Sequence, residues 1–330
     1  MLTEQETRIR SEMHRHPGNR ALALAFSEIL LRRGEFLAGW KLRDRCLEKK
    51  YLPASDARGP WFWNGESLLA QTILVFPDEG YGDMIQYFPL LLALAQRAEK
   101  VIFLCPRALF RLFSFRAPDN LAMLIWEEQP DEKEKFGADF YCAISSLPGL
   151  MEVVLDTLPL ARNYLVPDPD DVSRWRKRID VSSSPRIGVV WAGNPKHIND
   201  KFRSIPFEQF KTILRPGNSY FALQMAGESG AQSPEGVVVH DVFSDIRDYA
   251  DTAALISLLD AVVTVDTSVA HLACAMQMPT HILLAAEADW RWLSERVDSP
   301  WYPTARLYRQ PVAGNWDQVL DQVALTLWSS

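Results

Sequence analysis

Apolar residues recur along this chain in two rhythms, and the change from one to the other divides it. Up to about residue 50 the spacing is helical. Ala23, Phe26, Leu30, Phe36 and Trp40 recur as a packed αα-hairpin requires. This predicts a helix over Asn19 to Arg32, a turn at Gly34 and a second helix over Glu35 to Lys49. After a Pro- and Gly-containing stretch, Tyr51 to Gly65, short continuous apolar runs take over at Thr72 to Phe76, Val101 to Cys105, Leu121 to Ile125 and Phe140 to Ile144. Such runs read as strands buried on both faces. Helical stretches over Met84 to Arg97 and Arg107 to Phe115 alternate with them, as in a parallel, doubly wound sheet.

A polar, proline-punctuated connector, Arg162 to Pro185, carries one charged helix over Asp170 to Ile179, and then the alternation restarts. Strands are predicted at Arg186 to Trp191, Tyr220 to Leu223, Val237 to Val239, Ala261 to Val265 and His281 to Ala285. Helices are predicted at Pro206 to Leu214, at Thr252 to Leu259 with Asp251 as its cap, at Val269 to Met276, and at Trp316 to Trp328. The expected architecture is a helical segment over 1–60, an α/β unit over 61–165 and a second over 166–330. The two units are hinged near residues 160 to 185, with the final helix returning to the first. Two such units set a cleft between the carboxyl ends of their strands.

Composition narrows the class. At 330 residues the chain exceeds the ~250–300 at which single cores stop growing, which fits two units. A net charge of −7 argues against a nucleic-acid protein, and no basic, aromatic-interleaved patch offsets it. The apolar run Phe88 to Ala95 is too short for a transmembrane segment, and the N-terminus lacks the apolar core of a signal peptide. Cys46, Cys105, Cys142 and Cys274 are scattered without a CxxC pair, so they read as reduced residues of a cytoplasmic protein.

The richest stretch for chemistry is Ala261 to Leu272, AVVTVDTSVAHL. A buried strand, a polar turn at Asp266, Thr267 and Ser268, and a helix N-terminus together make an anion site. His271 in the first helical turn adds a hydrogen-bond donor, or a charge if protonated. Asp266 and Thr267 read equally as caps of that helix. Two further loops sit at predicted strand ends: Glu79 to Asp83, and Ala192 to Arg203.

Four motifs in order, EGYGD before a helix, WAGNPKHINDKFRSIP, DTAALISLLDAVVTVDTSVAHLA, and DWRWL followed by DSPWYPTARLYRQ, resemble the glycosyltransferases found behind bacterial tetratricopeptide repeats. Those enzymes are similar to the heptosyltransferases and distantly to the O-GlcNAc transferase type. The helical start, PGNRALALAFSEILLRRGEFLAGW, resembles the last unit of a tetratricopeptide array. With about one and a half units it is expected to pack on the body, since solenoids need ~3 repeats to stand alone. The resemblance implies the GT-B fold, with a nucleotide diphosphate sugar held mainly by the second unit. It places Asn194, Lys196, Arg203, Gln224, Asp266, Thr267, Ser268 and His271 around that donor. It makes Asp83, beside the acceptor-side loop residues Glu79, Gly80 and Gly82, the general base. It further implies an inverting, metal-independent transfer to a protein or glycan acceptor, with no cofactor beyond the donor substrate.

Each residue also has a plainer reading. Asp83 reads as the cap of a helix starting at Met84, Lys196 and Arg203 as a solvated loop, and His271 as a buried core histidine. A lipopolysaccharide or other glycan heptosyltransferase-like enzyme is the alternative transferase, and a degenerate binding module the non-enzymatic one. Asp168-Pro169-Asp170 superficially matches a metal-binding DxD, but its place before a helix favours capping. Gly80 and Gly82 are too few for a dinucleotide fingerprint. Sugar, nucleotide, acceptor and oligomeric state are left open.

Overall fold

The computed structural model describes residues 4–16, 18–46, 61–129, 136–158, 163–179, 185–224 and 233–328. Helices α1 (Glu4–Arg15), α2 (Arg20–Arg32) and α3 (Phe36–Cys46) come first. Asn19 caps α2, its Oδ1 accepting from the Leu22 N–H at 3.2 Å, and Gly34, at φ 81°, turns the chain into α3. Residues 47–49 of the expected second helix, and 51–60 of the stretch after it, lie outside the described residues.

A first sheet follows, built from β1 (Trp61–Phe62), β2 (Thr72–Phe76), β3 (Lys100–Cys105), β4 (Leu121–Ile125) and β5 (Phe140–Ala143). Its order is β1-β5-β2-β3-β4 and every pairing is parallel. Helices α4 (Tyr81–Ala95), α5 (Arg107–Ser114) and α6 (Leu147–Leu150) connect and flank these strands. Ile73 and Val75 face one core and Leu74 and Phe76 another, so the unbroken apolar run TILVF reflects burial on both faces.

The second sheet, in the order β11-β10-β9-β6-β7-β8, is also parallel throughout. Its chain runs α7 (Pro169–Arg178), β6 (Arg186–Val190), α8 (Asp200–Arg203), α9 (Phe207–Phe210), β7 (Ser219–Ala222), β8 (Val238–Asp241), α10 (Tyr249–Ile256), β9 (Ala261–Val265), α11 (Ser268–Ala275), β10 (Thr280–Leu284), β11 (Ala305–Arg309) and α12 (Asp317–Trp328). Asp168 caps α7, accepting from the Asp170 N–H at 2.9 Å, as the capping reading of that acidic pair expects. Residues 162 and 180–184 of the connector lie outside the described residues.

Several expectations are corrected. Helix α4 starts at Tyr81 behind Gly80, so Asp83 lies in its first turn and is not its cap. Helix α10 starts at Tyr249 and is capped by Asp248, which accepts from the N–H groups of Ala250 and Asp251. The helix expected over 206–214 is α9 plus a 3₁₀ turn, Lys211–Ile213. The final helix does not return to the first unit. Val319, Leu320 and Val323 of α12 share a core with Val189, Val263 and Leu283 of the second sheet, and the Trp328 Nε1–H donates to the Ile213 carbonyl at 3.1 Å.

The helical start packs on both units. Phe36 and Trp40 meet Trp290, the latter edge-on at 5.0 Å, and Phe36 also meets Trp301. Arg32 pairs with Glu287 at 2.7 Å. Burial pushes the Asp44 carboxyl up to about 7, with Arg43 opposing. A carboxyl raised on folding stabilises below its unfolded value of 3.8 and loses that contribution as pH rises through 7. Asp44→Asn should therefore melt above the native protein near pH ~8 and at the same temperature near pH ~3, below the unfolded value. Calorimetry at the two pH values checks this, and identical melting at both would refute it.

Candidate active site

The loop ends of the two sheets meet where α4 packs on α11. At the second sheet, the turn Asp266–Ser268 leads from β9 into α11. Thr267 is the cap residue, but its hydroxyl makes no capping bond and instead pairs with Thr264 Oγ1 at 3.1 Å. Ser268 Oγ lies 2.6 Å from the Tyr249 hydroxyl. Both hydroxyls expected at the donor thus already have protein partners, whereas the Ser268 and Val269 N–H groups have none among the described residues. The free N–H groups and the helix dipole make this end of α11 attractive to anions.

His271 is 3% exposed. Its Nδ1 lies 2.8 Å from the Tyr302 hydroxyl and its ring stacks on Trp292. Burial, helped by the Arg291 charge, holds its pKa well below the ordinary value, so the imidazole is neutral. It supplies no charge to an anion. Its edge rests on α4, where a Cβ at Gly82 would come within 2.7 Å of His271 Cδ2. Gly82 is what lets the two helices approach.

The loop after β6 is held at its root by Gln224, whose Oε1 accepts from the Trp191 and Ala192 N–H groups at 2.8 and 3.1 Å. Farther out, Asn194 Oδ1 accepts from the Lys196 N–H, and both residues are exposed. Arg203 returns to the sheet, donating from Nη1 to the Asp266 carbonyl at 3.0 Å and from Nε to Asp200 at 3.2 Å. A Cβ at Gly193 would stand 2.4 Å from Asp200 Oδ1 and 2.7 Å from Arg203 Nη2, so this glycine makes room for the pair. Burial raises the Asp266 carboxyl above its ordinary value, with Arg291 opposing. The structure therefore gathers Gln224, Arg203, Asp266, Thr267 and Ser268 at one end of the sheet. Asn194 and Lys196 sit on the outer part of their loop.

On the first unit, Asp78 accepts from the Ser145 N–H and hydroxyl, anchoring the loop after β2. Glu79 accepts from Arg43 at 2.5 Å. Burial pushes the Glu79 carboxyl up to about 7, with the Asp83 charge adding and Arg43 opposing. Gly80 begins α4 without a side chain, and a Cβ there would lie 3.2 Å from Asp83 Oδ2. Asp83 Oδ1 accepts from Arg291 Nη2. Arg291 stands in a 3₁₀ turn, Trp290–Trp292, beyond β10 of the other unit. Its Nε donates to Gln86 Oε1 at 2.9 Å and its Nη1 pairs with Asp289 at 2.9 Å.

Arg43, Tyr302 and Arg291 were not foreseen. Arg291 had a signal, the DWRWL motif itself, but Arg43 had none because it comes from the helical start.

The chain has the fold of a glycosyl transferase family 9 protein. The structure of one from Veillonella parvula DSM 2008 superposes with a TM-score of 0.54 at 13% identity, covering 81% of this chain and all of that one. Escherichia coli heptosyltransferase WaaC with ADP-2-deoxy-2-fluoro heptose gives a TM-score of 0.49 at 12% identity, covering 78% of this chain and 99% of that one. No family model matches the sequence, and no curated protein matches it either. The likeness is one of fold. No helix among the described residues is long and apolar enough to cross a membrane.

Proposed function

We propose that the protein is an inverting glycosyltransferase that moves a sugar from a nucleotide diphosphate sugar to a hydroxyl of a protein or glycan in the cytoplasm. The reading rests on one juxtaposition. With Gly82 against His271, the first turns of α4 and α11 touch, so Asp83 of one unit stands beside the anion-attracting end of the other. In a single displacement the acceptor oxygen attacks the anomeric carbon as its proton passes to Asp83. The bond to the diphosphate breaks, and its electron pair leaves on the phosphate oxygen. The α11 N–H groups and the Arg203 guanidinium face the charge that develops there. In this reading the same groups take the place of a divalent ion, and the donor is the sole small molecule required.

A panel of nucleoside diphosphates and their sugar conjugates tests the proposal. One conjugate should be hydrolysed slowly without acceptor, and its diphosphate should raise the melting temperature. At ~100 times the dissociation constant the stabilisation is about 2.7 kcal/mol. Chelation by EDTA should leave turnover intact. Absence of stabilisation and hydrolysis across the panel would overturn the transferase reading, and activity lost to EDTA and restored by Mg²⁺ would overturn metal independence.

A further inference from the structure

We infer that Arg291 is a positioning residue for the Asp83 carboxylate, so that the base is correctly aimed only while the two units are joined. This rests on the transferase reading. The guanidinium runs along one face of α4, where Gln86 and Asp83, three residues apart, take its Nε and Nη2. Asp289 takes Nη1, and the group lies 5.1 Å over the Trp290 ring. Every nitrogen is engaged and the side chain is 11% exposed, so the fork has a single orientation.

The consequence falls on the carboxylate. Oδ1 is tied to Arg291, while Oδ2 points back toward Gly80 with no hydrogen-bond partner among the described residues. Asp83 is 21% exposed at its side chain. One oxygen fixed and one open is the arrangement a base needs to meet a hydroxyl along a defined line. Since Arg291 stands 208 residues from Asp83, on the other unit, separating the units removes the aim. The helical start takes part indirectly, because Phe36 and Trp40 hold the Trp290 ring on which Arg291 rests.

Arg291→Met and Arg291→Lys, checked for folding by circular dichroism, test the inference with the donor found above. We expect kcat to fall on the order of 10²-fold, the usual cost of misaiming a reacting group, with donor KM unchanged. In Arg291→Ala, where truncation leaves room for the small cation, methylguanidinium should restore kcat with donor KM unchanged. Near-native kcat, or a loss confined to KM without rescue, would overturn the inference. A second measurement needs no donor. In the ligand-free protein, ¹⁵N resonances of the Arg291 guanidinium should show slow exchange and hindered rotation, and Asp83→Ala, which removes the Nη2 acceptor, should speed both at that nitrogen. A freely rotating guanidinium in the native protein would overturn the positioning role whatever the activity. A locked guanidinium in a protein that turns over no nucleotide sugar would instead sink the transferase reading alone.

Discussion

Asp83→Asn should lower sugar transfer by on the order of 10²–10⁴-fold, the usual worth of a positioned general base. Asparagine keeps the shape and a carbonyl oxygen that still accepts from Arg291, but it cannot take a proton at neutral pH. Affinity for the nucleoside diphosphate should stay near the native value. The anion-attracting end of α11 and Arg203 belong to the second unit, while Asp83 belongs to the first. The capping alternative makes the opposite forecast, because asparagine caps helices as well as aspartate does. Capping is already weakened by geometry: Gly80 begins α4, and no side chain caps it. Single-turnover transfer together with calorimetric titration of the diphosphate separates the two. Native turnover in a folded Asp83→Asn protein would remove Asp83 from the reaction.

How far the sequence reveals this site depends on the distance over which each feature is built. Strands β2 and β9 follow the apolar runs residue for residue, because burial on both faces of a parallel sheet leaves an unbroken signal, and β4 does so as a half-buried edge strand. Two strands give no such signal. Edge strand β1 is two residues long, and edge strand β11, ARLYR, is broken by Arg306 and Arg309. The starts of α4 and α10 each lie three residues earlier than expected. Gly80 begins α4 with no side chain to mark the cap, and Asp248 and Asp251 are both plausible caps until the structure shows which accepts the N–H groups.

The turns that form the site are legible because each directly follows a strand. Their partners are not, since Glu79 meets Arg43 from 36 residues away and Asp83 meets Arg291 from 208. His271 shows the same limit. Its spacing suggests an open ligand, yet Tyr302, Trp292 and Gly82 close around it.

Asp251→Ala should destabilise the protein by about 3 kcal/mol, because this carboxylate is the centre of the joint between the units. Its side chain is fully buried. It accepts from the Arg247 N–H at 3.0 Å, from Arg247 Nε and Nη2 at 2.8 Å each, and from Arg174 Nη2. Arg111 of α5 approaches at 3.5 Å and also reaches Asp171 and Asp248. Arginines from the first unit, the connector and the second unit thus converge on aspartates of α7 and α10. Removing Asp251 leaves them without their shared buried acceptor. The arginines are 37–58% exposed and regain water, which keeps the cost at the lower end of that for breaking a buried pair.

Burial alone would raise the Asp251 carboxyl. The Arg247 side-chain and backbone bonds, with the Arg174 charge, outweigh it and hold the pKa below 3.8. A depressed carboxylate stabilises above its unfolded value and loses that contribution as pH falls through the folded one. The melting temperatures of Asp251→Ala and the native protein should therefore differ by roughly 5–10 °C near neutrality and draw together in acid as the pH falls below 3.8. Equal melting at neutral pH would show that the joint is held by the α4–α11 contact and the aromatic cluster instead. In that case Asp251→Ala should also leave sugar transfer intact, since Arg291 would still find Asp83.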